Sequence, residues 1–193
     1  MNKKYMLGID PSGAFMEGKG TTGMCLIVKT SKYKVQWVGD ICAKDFATPE
    51  AYWNEHLRRI EFYHTRYKDL IVSMEDYILY ENRAMSQANS HMETSQLIGC
   101  IRLYCWQNNI ELHMRNAVQV KKRWSDEILV HKGLLQKINN KYYCTARQDP
   151  LSLHIRDSIR HAVHCAAFEL HPNNYNKGGN INEKRRVSRS KNK

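Results

Sequence analysis

No Cys-x-x-Cys pair occurs in this chain. Its six cysteines stand singly at 25, 42, 100, 105, 144 and 165, a pattern that argues against a structural zinc site. Several lie inside apolar runs, where a free thiol packs as a small hydrophobe. Their scatter predicts a reducing, intracellular setting, and the cytoplasm in particular. A run of about 18 apolar residues is also missing, so no membrane-spanning helix is expected. No signal peptide is visible, because Asn2-Lys3-Lys4 is followed by only a few apolar residues before Asp10. Internal repeats are absent as well.

Positive charge is abundant. The 193 residues carry a net charge of +11, unevenly spread. Residues 172–193 hold seven Lys/Arg and one Glu, whereas the preceding 171 residues hold 23 basic and 18 acidic groups. A basic chain with a basic end suggests a polyanionic partner, usually nucleic acid, although such a tail also serves solubility alone. The first 171 residues are long enough to bury a core as one domain. The Asn-, Gly-, Lys- and Ser-rich residues 172–193 cannot support one, and are expected to form a disordered basic tail.

Secondary structure can be read in order. Residues 4–10 and 22–29 are strand candidates, joined by Gly13–Thr21, a connection too long for a tight turn and therefore a mobile or functional loop. Residues 34–42 alternate well enough for a third strand. Thr48-Pro49-Glu50 signals the start of a helix to about Tyr67. Residues 69–75 form a fourth strand, parallel to an earlier one after the crossover. A helix is expected over 83–108, a strand over 110–114, short helices over 117–124 and 126–138, and a last helix over 152–170. This order describes a mixed α/β sheet with helices on its faces.

Three places offer chemistry. Asp10 ends the first strand, Glu75 ends the fourth, and His154 and Asp157 open the last helix three residues apart, on one face. Carboxylates at the ends of adjacent strands converge, and three carboxylates with one imidazole suit Mg²⁺ or Mn²⁺. Two such ions hydrolyse phosphodiesters by activating water and stabilising the departing oxygen. Each residue also has a plainer role. Asp10 before Pro-Ser-Gly is a common turn residue, Glu75 can be solvated, and His154 and Asp157 suit a helix N-terminus. On a helical wheel, His154, Asp157, His161 and His164 share an arc opposite Ile155, Ile159, Ala162, Val163 and Ala166. That polar arc reads equally well as a face turned to water, with His161 and His164 at the surface or behind the site.

The pieces Leu7-Gly8-Ile9-Asp10-Pro11-Ser12-Gly13 with Thr22-Gly23, Val72-Ser73-Met74-Glu75, and His154-Ile155-Arg156-Asp157 resemble the RuvC family of Holliday junction resolvases, within the RNase H-like superfamily. Their order covers most of residues 4–170. The loop Gly18-Lys19-Gly20-Thr21-Thr22-Gly23 is most similar to that of short phage-encoded members. The resemblance implies an RNase H-like mixed five-stranded sheet with helices on both faces. It implies Asp10, Glu75, His154 and Asp157 as catalytic residues and ligands of two Mg²⁺ or Mn²⁺ ions. It further implies a homodimer that nicks a four-way DNA junction symmetrically, in recombination and repair.

Contacts to DNA are expected from Tyr77, Tyr80 and Arg83, which follow Glu75, and from Lys121, Lys122 and Arg123. Packed tyrosines and a solvated helix face are the plainer readings. The long loop, the polar segment 125–150 and the basic tail depart from the family pattern and widen the range of branched substrates to consider. Alternatives are an RNase H-type nuclease on RNA–DNA hybrids and a branched-DNA-binding protein without catalysis. An ATP-binding relative of this superfamily is disfavoured, since no second Asp-Gly-rich phosphate loop is found.

Overall fold

A computed structural model describes residues 3–16, 18–76 and 92–168. Three strands come first: β1 (Lys4–Asp10), β2 (Thr21–Lys29) and β3 (Tyr33–Cys42). They form an antiparallel meander. Helix α1 (Pro49–Arg66) follows, started by the Thr48 hydroxyl, which accepts from the Ala51 N–H at 3.2 Å. Strand β4 (Leu70–Glu75) then lies parallel to β1, and β5 (Glu111–Arg115) lies parallel to β4. The sheet order is β3-β2-β1-β4-β5. Between β4 and β5 runs α2 (Glu93–Gln107), and beyond β5 come α3 (Ala117–Arg123), α4 (Asp126–His131) and α5 (Leu153–Phe168).

The central strands are covered on both faces, which is why they read as nearly unbroken apolar runs. One core joins Met6, Cys25, Ile27 and Ile71 to Ile155, Ile159 and Val163 of α5. The other joins Leu7, Ile9, Leu26, Val72 and Met74 to Tyr52 and Ile60 of α1 and Leu97 and Ile101 of α2. Successive strand residues point to opposite faces, so one face takes every second residue. On β1 the α5 face takes Met6, Gly8 and Asp10. On β4 it takes Ile71, Ser73 and Glu75. On β2 it takes Gly23, Cys25 and Ile27. The alternation therefore assigns Asp10 and Glu75 to the same side of the sheet as the last helix.

Two expectations change. Helix 126–138 stops at His131, because Gly133 turns the chain with φ +70°. A hairpin follows, β6 (Gln136–Ile138) and β7 (Lys141–Tyr143), turning at Asn139 and Asn140 with φ of 48° and 59°. Both turn residues are left-handed, as tight hairpin turns require. The described part of the 83–108 helix begins at Glu93, after Met92 at φ 54°. Residues 83–91, the expected domain boundary at 171 and the tail lie outside the described residues. Among the described residues no helix is long and apolar enough to cross a membrane.

Candidate active site

Asp10 is the last residue of β1 and is 7 % exposed. The turn after it is held from behind by a buried polar network. The Thr22 hydroxyl accepts from the Ser12 N–H at 3.0 Å, and the Tyr52 hydroxyl donates to the Ser12 carbonyl. His56 lies below, with Nδ1 at 2.8 Å from the Tyr52 carbonyl and Nε2 at 2.8 Å from the Thr22 hydroxyl. A carbonyl only accepts, so Nδ1 carries the proton and Thr22 donates to Nε2. Burial lowers the His56 pKa to about 4, and the imidazole stays neutral.

The loop after this turn is tied down. The Gly13 N–H donates to the Thr94 hydroxyl at 3.0 Å, and the Phe15 N–H donates to the Glu93 carboxylate at 2.9 Å. The Met16 N–H reaches the same carboxylate at 3.3 Å. A buried acid at the start of α2 thus grips the backbone behind Asp10.

Two glycines let α5 come down onto the strands. A Cβ on Gly8 would stand 2.0 Å from the Ser158 carbonyl oxygen, and one on Gly23 would stand 2.1 Å from the His154 carbonyl carbon. Gly23 is the register partner of Asp10, so the first turn of α5 rests on the strand next to that carboxylate. His154 Nδ1 donates to Asp10 Oδ2 at 2.7 Å. The polar arc of α5 is therefore turned toward the strand ends, with His154 and His164 half-buried. Asp157 is 2 % exposed and His161 is 1 % exposed, and the Ser73 hydroxyl donates to the His161 carbonyl at 3.0 Å. Of the two readings of His161, at the surface or behind the site, burial rules out the first. Both of its ring nitrogens are buried without a hydrogen-bond partner, and burial takes its pKa down to about 4.

Asp10, Glu75, His154 and Asp157 line one cavity of about 260 Å³, together with Pro11, Ser12, Thr94 and Lys121. Lys121 Nζ lies 2.8 Å from Asp157 Oδ2, and the Arg160 guanidinium donates to Asp157 Oδ1. Burial and the adjacent Asp10 hold the Glu75 carboxyl well above the usual carboxylate range. The hydrogen bond to Asp10 outweighs burial at His154 and raises its pKa. Burial opposes the Lys121 charge, but Asp157, Glu75 and Asp10 together raise its pKa.

Three carboxylates and an imidazole on one wall are hard donors that fit Mg²⁺ or Mn²⁺. The crowding of Glu75 against Asp10 is the kind of charge conflict that a divalent cation relieves. Among the described residues no three donors close on a single ion position. Their charges meet in pairs instead, Asp10 with His154 and Asp157 with Lys121.

The four expected site residues thus come from three elements, β1, β4 and α5, to one cavity. Lys121, expected on a DNA-facing surface, points into that cavity, while Lys122 and Arg123 are exposed at the end of α3. Tyr77, Tyr80 and Arg83 lie outside the described residues. Sequence reading missed Glu93, Thr94, Tyr52, His56 and Arg160. Of these only Arg160 left a trace, its spacing of three from Asp157 on one helix face.

No protein-family model matches the chain, and no curated protein matches it. Solved structures do. RuvC from T. thermophilus in complex with Holliday junction substrate aligns with a TM-score of 0.58 and 13 % identity, covering 84 % of this chain and 92 % of that one. The Thermus thermophilus RuvC structure aligns with a TM-score of 0.56 and 13 % identity, covering 84 % and 93 %. The likeness is one of fold, a mixed five-stranded sheet with helices on both faces, as in the RuvC and RNase H-like α/β fold.

Proposed function

We propose that this chain is a metal-dependent endodeoxyribonuclease of the RuvC type, acting on four-way or otherwise branched DNA. One observation carries the reading: Asp10, Glu75, His154 and Asp157, drawn from three elements, line one cavity with Lys121 beside them. The fold shared with a RuvC that was solved on a Holliday junction adds support. So does the net charge of +11, which suits a polyanionic substrate.

In this reading Asp10, Glu75 and Asp157, with His154, hold two Mg²⁺ or Mn²⁺ ions. Such ions activate water and stabilise the departing oxygen of a phosphodiester. Asp10 fixes the His154 ring through Nδ1–H, leaving Nε2 as the nitrogen able to bind or to take a proton. Lys121 supplies a positive charge at the cavity wall for a phosphate oxygen. Lys122 and Arg123 contact backbone phosphates, and Tyr77, Tyr80 and Arg83 contact the junction centre. A homodimer makes the paired cuts, as the RuvC resemblance implies. Residues 1–171 form the nuclease domain, and 172–193 add non-specific affinity that weakens with salt. The resemblance of the loop 18–23 to that of phage-encoded members supports a phage-type enzyme, working in the cytoplasm of a bacterial host.

The test is cleavage of a synthetic four-way junction with Mg²⁺ or Mn²⁺, run beside a flap, a linear duplex and an RNA–DNA hybrid. Paired nicks across the junction, abolished by Asp10→Asn, are expected. Equal cutting of flaps widens the substrate to branched DNA in general. Cutting of the hybrid alone makes the chain an RNase H-type enzyme. Tight junction binding without cleavage in either metal would leave a binding protein and overturn the catalytic roles.

A further inference from the structure

Arg160 is 6 % exposed and does not line the cavity. All three of its guanidinium nitrogens nonetheless bond to three separate elements. Nε donates to the Trp124 carbonyl at the end of α3, at 2.8 Å. One terminal nitrogen donates to Asp126, the first residue of α4, and the other donates to Asp157 on α5 itself. Asp126 is held in turn by Arg156. A guanidinium is planar with donors in a fixed fork, so three simultaneous acceptors leave it no freedom to rotate.

The consequence falls on Asp157. Its Oδ1 is committed to Arg160, and its Oδ2 meets Lys121, a cavity-lining side chain, at 2.8 Å. We infer that Arg160, anchored by Asp126 and the Trp124 carbonyl, is a positioning residue that presents the single oxygen Oδ2 of Asp157 to a divalent cation. This rests on the metal-dependent reading above. Arg160 touches no substrate atom in it. Its effect passes entirely through the orientation of one carboxylate.

The sign of the effect separates this role from simple electrostatics. A cation bonded directly to a metal-binding carboxylate repels the metal, so a purely electrostatic Arg160 weakens metal binding and its removal strengthens it. A brace does the opposite. Groups that orient metal ligands typically account for about 10–100-fold in affinity.

The experiment is calorimetric titration of the full chain with Mn²⁺ in the absence of DNA, with thermal melting alongside. Arg160→Gln is expected to weaken Mn²⁺ binding about tenfold or more. Arg160→Lys, which keeps the charge and loses the fork, is expected to recover only a minor part. Asp126→Asn leaves the Arg160 bond to Asp157 and loosens its anchor, so a smaller weakening is expected. That variant decides the matter if those at 160 fail to fold. In junction cleavage, half-saturation should move to higher Mn²⁺ while the rate at saturating Mn²⁺ changes little, a split that general destabilisation does not produce. Unchanged or tighter Mn²⁺ binding in a folded Arg160→Gln chain would overturn the brace and leave the metal site standing. A wild-type chain that binds no Mn²⁺, indistinguishable from Asp10→Asn, would overturn the metal-dependent reading and the brace with it.

Discussion

Replacing Gly23 with Ala tests how the site is assembled. The added Cβ would stand 2.1 Å from the His154 carbonyl carbon and 2.5 Å from the Ile155 nitrogen. Ordinary contact begins near 3.4 Å, so something must move by more than an ångström. The atoms in the way are backbone, in the first turn of α5, and no side-chain rotation relieves them. The helix start must lift off β2, and His154 rides on it. Its 2.7 Å bond to Asp10 then opens past hydrogen-bonding distance. A misplacement of about 1 Å near reacting groups costs on the order of 10²-fold in rate. Overpacking of this kind costs about 1–3 kcal/mol in stability. For a domain of this size that lowers Tm by roughly 2–12 °C. Single-turnover junction cleavage and thermal melting by circular dichroism read the two effects. Gly99→Ala is the control, since nothing lies within 4 Å of a Cβ built there, inside α2. It should raise stability by about 0.5–1 kcal/mol and leave cleavage unchanged. Cleavage within threefold of wild type by Gly23→Ala, at an undisturbed Tm, would refute the argument that glycine lets the helix deliver His154.

Two further outcomes follow from groups behind the site. The folded His56 titrates near pH 4, against 6.5 for an ordinary histidine, so between these values the unfolded chain binds a proton that the folded chain refuses. Its contribution is fully present above pH 6.5 and is lost as pH falls toward 4, for a total of about 3 kcal/mol. His56→Gln should lessen the pH slope of the urea-unfolding free energy over that window, the buried His161 and half-buried His164 supplying the rest, and equal slopes in the two chains would contradict the assignment. Glu93→Ala leaves the Phe15 and Met16 N–H groups without their carboxylate, for a loss of about 1–3 kcal/mol. Faster amide exchange should be confined to residues 13–16, and unchanged protection there would count against the clamp.

Much of the fold was legible because its signals are local. The apolar runs of β1, β2 and β4 marked strands buried on both faces, and Thr48-Pro49 marked the start of α1. The placing of Asp10 and Glu75 at strand ends was legible too, but their shared face follows from the β1–β4 register. The misreading of 126–138 arose because Ile128, Leu129, Leu134 and Leu135 continue an apolar pattern across Gly133. The glycine at φ +70° was the stop signal, and Asn139 and Asn140 make the hairpin turn beyond it. The polar arc of α5 was ambiguous for a different reason. Whether histidines on a helix meet water or strand ends depends on how closely the helix approaches, and that is set by Gly8 and Gly23, far away in sequence. The turn of Lys121 into the cavity was beyond reach on the same ground, as were the bonds of Arg160 to Trp124 and Asp126. Their partners are fixed only when α3, α4 and α5 pack together, and no spacing rule connects residue 121 to residue 157.

The order of elements along the chain carries a consequence for biosynthesis. Asp10 and Glu75 belong to the first 75 residues, but His154 and Asp157 arrive only with α5, which also closes one of the two cores over β1, β2 and β4. A polypeptide emerging from the ribosome N-terminus first holds two of its four acidic or imidazole groups with no wall opposite them. Chains released before residue 153 lack His154, Asp157 and the helix that closes this core. The closing of that core and the completion of the cavity wall coincide in one helix.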